Sequence, residues 1–141
     1  MKTVNTLIRL RKERLNDAHQ LRNKLETDRD ALFARMKNLE AELENEARLA
    51  AQSEFPGDMY ASFVASVNGQ RQMLVREIEA LDVAMAQADD IVSEAYQALK
   101  SLEISAESEL ARRREKTEKT EQAGLDEVAM ATHLRTQART D

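Results

Sequence analysis

Ser53-Glu54-Phe55-Pro56-Gly57-Asp58 holds the only adjacent Pro and Gly in a chain of 141 residues, and both flanks read as continuous helix formers. Proline removes a backbone donor and glycine is a poor helix residue, so the pair places a turn between two helices. The expected elements are a first helix over about 3–53, a turn at about 54–58, a second helix over about 59–120, and a tail, 121–141, that frays or stays helical. Together they make one domain. Asp58 stands where its carboxylate can accept the unpaired N–H groups of the second helix, which predicts it as the N-cap. Gly69 and Gly124 interrupt helical patterns at a cost of about 1 kcal/mol each relative to Ala. The reading expects no bend at Gly69 and fraying near Gly124.

Outward from the turn, apolar residues recur at alternating steps of three and four. On the first helix they run from Val4, Ile8 and Leu15 through Ala18, Leu25 and Leu32 to Met36, Leu39, Leu43 and Ala50, with Arg11, Arg22, Arg29 and Glu46 as polar members. On the second the seam runs from Tyr60, Val64 and Val67 through Leu74, Ile78, Leu81, Met85, Ala88, Val92, Ala95, Leu99 and Leu102 to Ala106, with Arg71 its single polar member. A narrow stripe with a period of 3.5 is the pattern of a left-handed coiled coil, whereas a helix in a thicker bundle shows a wider apolar face. The fold class is therefore all-α, two long helices forming an antiparallel coiled-coil hairpin.

The register follows from matching layers. If Leu43 meets Val67, Met36 meets Leu74, Leu25 meets Met85 and Ile8 meets Leu102, seam faces seam throughout; a slip of one heptad also matches. In this register Arg22 faces Ala88 and Arg29 faces Leu81, so their stems cover the seam while the guanidinium groups reach outward to acidic neighbours. Past Ala106 the seam turns polar at Glu109, Arg113 and Lys116, with no first-helix residues left to pair. The tail overhangs or frays.

The composition restricts the chemistry. There are no cysteines and two widely separated histidines, His19 and His133, which removes disulfides, thiolate nucleophiles and the usual zinc ligand sets. No stretch approaches the roughly 18 apolar residues of a membrane span, and Arg9, Arg11, Lys12 and Arg14 break any signal-like run. The chain is expected to be cytoplasmic. A two-helix rod offers no cleft in which a carboxylate could be desolvated, and no phosphate loop or nucleophile elbow is present, so no enzyme activity and no cofactor or metal are expected.

Charge is unevenly placed: residues 1–35 carry nine basic and five acidic side chains, 36–109 five and fifteen, and 110–141 seven and six. An acidic body without a basic stripe argues against nucleic acid as a partner. Two groups of residues stand out as candidate partner-binding sites. Residues Met59–Gln70 carry no charge although one residue in three of the chain is charged, and Phe63, Val67 and Gln70 at steps of four and three form a helix-face docking stripe. The neighbouring aromatic residues also suffice as a plug that closes the end of the rod. At the opposite end Arg9, Arg11 and Arg14 approach Arg112, Arg113 and Arg114, giving a basic pole suited to an acidic cavity in a partner.

These features resemble the FliJ family, a soluble component of the bacterial flagellar type III export apparatus. The resemblance spans nearly the whole chain. It rests on the two-helix layout, on Tyr60-x-x-Phe63-Val64-x-x-Val67 at the start of the second helix, and on Leu125-Asp126-Glu127-Val128-Ala129 followed by Arg135 near the end. It implies a stalk-like, non-catalytic export component and general chaperone. Its open end would enter a hexameric export ATPase, with further contacts to the export-gate cytoplasmic domain and to export chaperones at the inner membrane of the flagellar base. Phe63 and Val67 match the family's docking positions; Gln70 departs, since a small apolar residue is usual there. A monomer when free is expected. The alternatives are a structural or adaptor coiled coil and the central-stalk subunit of a rotary ATPase.

Overall fold

The computed structural model describes residues 2–52 and 57–140, and these form two helices, α1 (Lys2–Gln52) and α2 (Gly57–Thr140), packed on each other along the length of α1 as an antiparallel hairpin. Ser53, Glu54, Phe55 and Pro56, on which most of the expected turn falls, lie outside the described residues. Asp58 is one residue inside α2, in its first turn, where its carboxylate still faces the positive end of the helix dipole. This corrects its expected place as the cap itself.

α1 is 51 residues long, about 75 Å at the usual rise. α2 has 84 residues and continues without interruption through Gly69 and Gly124 to Thr140, where a Cβ added at either glycine would meet nothing. Both positions have ordinary helical backbone, so neither glycine is required by the geometry.

The core is a single seam. Ala18 on α1 and Val67, Leu74, Ile78, Ala88 and Leu99 on α2 are buried, and the remaining seam positions are half-buried. Glu46 is the exception: it is exposed and Ala47 is half-buried in its place, because a small apolar residue avoids the desolvation a carboxylate would meet there.

Three ion pairs between the helices fix the register. Arg22 Nε donates to Asp89 Oδ1 at 3.1 Å, Arg29 Nε lies 2.7 Å from Asp82 Oδ1, and Arg71 reaches Glu40 at 3.5 Å. In each case the carboxylate stands one residue beyond the seam residue that faces the arginine: Ala88, Leu81 and Leu39. This is the register in which Leu25 meets Met85, and a heptad slip would separate all three pairs.

Beyond the level where α1 begins, α2 has no partner helix. Every described residue from Leu110 to Thr140 is exposed, including Leu125, Val128, Met130 and Leu134. This overhang extends roughly 45 Å past the hairpin.

Candidate functional site

The turn-side stripe is only partly a surface. Val67 is 3% exposed and belongs to the seam, so it supports the helix face and offers no side chain to a partner. Phe63 is half-buried and Gln70 exposed. What surrounds Phe63 is a recess of about 560 Å³ between the helix ends, lined by Leu49, Ala50, Met59 and Tyr60 with Glu46 and Gln52 at its rim. Met59 and Leu49 expose 61% and 48% of their surface. The recess forms because Tyr60 occupies the last seam layer while Phe63, one turn on, falls beside it. The uncharged run Met59–Gln70 thus gives an end plug, through Tyr60 and Val67, and, with Leu49 of α1, an apolar patch made of the exposed Met59 and the half-buried Phe63.

The basic residues do not form one pole. Arg9 and Arg14 are exposed on α1, and Arg11 is a half-buried seam residue. Arg11 and Arg14 line a groove with Glu94, Ala95 and Ala98 of α2. Arg112, Arg113 and Arg114 stand on the overhang, beyond the start of α1. The two groups are therefore offset along the rod by roughly 15–25 Å. Arg112 and Arg113 are both paired with Glu109 on their own helix, and Lys119 with Glu115, which satisfies part of the positive charge locally. Among the described residues Arg11 makes no ion pair of the kind that Arg22, Arg29 and Arg71 make, although Asp17 and Glu94 line the same groove.

Two cations are held more firmly than usual. Arg22 has its pKa raised by its hydrogen bond to Asp89 and the charge of Glu26. Lys100 is raised by the hydrogen bond and charge of Glu103 and by Tyr96, over whose ring its ammonium sits at 5.7 Å. These groups stabilise the rod and point to no chemistry. Among the described residues no cluster of three His, Cys, Asp or Glu could hold a metal ion, and no helix is long and apolar enough to cross a membrane.

One feature of the surface escapes a reading confined to the seam. Phe63, Ala84 and Ala98, spaced by multiples of seven on α2, are half-buried beside it, with Ile91 in the same row. The apolar face of α2 is wider than a two-stranded coil needs, and the signal was the small or apolar residue recurring at that heptad position. Compared with known proteins, the chain matches no family model, no curated protein and no solved structure.

Proposed function

We propose that the chain is a non-catalytic coupling rod of a flagellar type III export apparatus, cytoplasmic and peripheral to the inner membrane at the flagellar base. It would join a hexameric export ATPase to the export-gate cytoplasmic domain and to export chaperones. The observation that carries this reading is the asymmetry of the rod: an antiparallel hairpin with an exposed apolar patch at the turn end, and a single-helix overhang bearing Arg112, Arg113 and Arg114 at the other. Two ends of different chemistry on one stiff body suit a part that touches two partners at once. The motifs around Phe63 and Asp126–Glu127 support the same reading by resemblance.

The overhang would enter an acidic cavity of the ATPase ring, with Arg9, Arg11 and Arg14 following at the hairpin's mouth. Phe63 and Gln70, on the framework set by Val67, would contact the gate domain or a chaperone. The test is co-purification and ATPase stimulation with Phe63→Ala and with Arg112, Arg113 and Arg114 changed together to Ala. Phe63→Ala should lose the gate and chaperone contacts and keep the ATPase; the triple variant should do the reverse. Binding of every partner unchanged in both variants contradicts the assignment. The alternative of an adaptor or spacer coiled coil predicts a stable dimer in sedimentation.

A further inference from the structure

The two flanks of the seam differ. All three inter-helix ion pairs lie on one side, where Asp82, Asp89 and Glu40 close over the arginines. On the other side open grooves run between the helices. One lies between Arg35 and Glu42 of α1 and Gln70, Met73 and Glu77 of α2; the next is floored by Ala18, Ala95 and Ala98 and walled by Leu21 and Ile91. Heptad spacing puts Arg14, Leu21, Arg35 and Glu42 in one row and Gln70, Glu77, Ile91 and Ala98 in the facing row, so both grooves belong to the same side.

Along this side α2 carries a second run at steps of three and four. From Met73 it passes Glu77, Ala80, Ala84, Gln87 and Ile91 to Glu94 and Ala98, with Glu77 and Glu94 its only charges. Met73 and Ile91 expose 63% and 47% of their surface. A helix with two adjacent 3–4 seams is built to contact two helices, and α1 covers only one of them.

We infer that this side of the hairpin binds a third helix, supplied by a partner protein and basic in character, independently of the export role. Charge selects the occupant. The two charges on the wall that α2 contributes, Glu77 and Glu94, are both acidic, the α1 wall balances Arg14, Lys24 and Arg35 against Asp17, Asp28 and Glu42, and residues 36–109 carry fifteen acidic against five basic side chains. An amphipathic helix with Lys or Arg over Glu77 and Glu94, about 25 Å apart along α2, satisfies both walls. The overhang of a second copy is a poor occupant. Its first three turns are polar along the seam, and Arg112, Arg113 and Lys119 are already paired with Glu109 and Glu115.

The test uses the full chain and two synthetic helical peptides with identical apolar stripes, one bearing Lys and the other Glu at the positions facing Glu77 and Glu94. Fluorescence anisotropy should show the Lys peptide binding at least about tenfold more tightly. Ala84→Arg should abolish that binding, while Val83→Arg, at a 60% exposed position on the next row, should leave it intact. Glu77→Lys with Glu94→Lys, both at exposed sites, should reverse the preference toward the Glu peptide. Equal affinity for the two peptides, no binding of either, or no reversal in the double variant overturns the proposal. So does a dimer of the free chain that Ala84→Arg disrupts and Val83→Arg does not, because a second copy would then own the face.

Discussion

Arg22, Arg29 and Arg71 occupy layers that a simple coiled coil fills with leucine, and each is tolerated because a carboxylate stands one residue past its seam partner. The Arg29–Asp82 pair is partly exposed, with side chains 36% and 49% accessible, so it contributes on the order of 0–1 kcal/mol and is screened by salt. Arg29 also lies over the Phe33 ring at 5.0 Å, which keeps its stem in the layer. Changing Arg29 to Leu should raise stability by roughly 1 kcal/mol, since an apolar pair with Leu81 replaces a solvated ion pair, and should reduce the loss of stability on adding salt. Urea titrations at low and high NaCl check both; a destabilised Arg29→Leu would show that the ion pair outweighs the packing. Lys100 gives a pH signature. Its pKa is raised in the fold, chiefly by the hydrogen bond to Glu103, so the stability it contributes is complete below its ordinary value of 10.5 and lost as pH climbs through the raised one. Glu103→Gln should flatten the stability profile above that pH and leave the neutral range with a constant offset, as thermal melts across alkaline pH would record.

At the scale of the helices, α1 and the hairpin part of α2 share one fate and the overhang another. A helix without a packed face depends on propensity alone, and an isolated segment of this length is marginal in water. Amide exchange should therefore be slow across Leu15–Leu43 and Val67–Ala95 and fast from Leu110 to Thr140; equal protection in the overhang would mean that something covers it. Gly124→Ala, where the added methyl meets nothing, should raise overhang helicity through a local gain of roughly 0.5–1 kcal/mol, measurable by circular dichroism. These contrasts also explain what the sequence made legible. The seams were readable because burying one stripe between two helices imposes a period of 3.5, and that constraint reaches nearly every position from Val4 to Ala106. Glu46 was misplaced because the pattern tolerates polar members, as at Arg22, and only the local partner decides whether they are covered. Val67 fits both a core and a docking pattern in the sequence, and a single side chain buried on the seam cannot serve as both. The basic pole was anticipated from composition, but the offset between Arg14 and Arg112 depends on where α1 starts relative to α2. Periodicity does not encode that. The grooved side is not legible in the sequence, because half-buried alanines at 84 and 98 look like filler until a neighbouring helix gives them a direction.

The whole molecule is a rod whose length is set by α2. Its 84 residues span about 125 Å when continuous, so small-angle scattering should give a maximum dimension near that value; one near 80 Å would mean the overhang folds back on the hairpin. The proposed coupling role requires that length, because the apolar recess at Phe63 and the arginines at 112–114 serve different partners only if they stay far apart. It requires equally that the chain close on itself, since pairing between chains would put an overhang at each end of the rod and remove the asymmetry. The cysteine-free sequence makes this directly measurable with spin labels at Asn16 and Ser93, exposed positions that the register places side by side on opposite helices. A distance on the order of 20 Å, set by an interaxial separation of about 8–10 Å plus two label arms and unchanged on dilution with unlabelled chain, is the predicted result. A distance that disappears on dilution, or labels separated by the length of a helix, contradicts it.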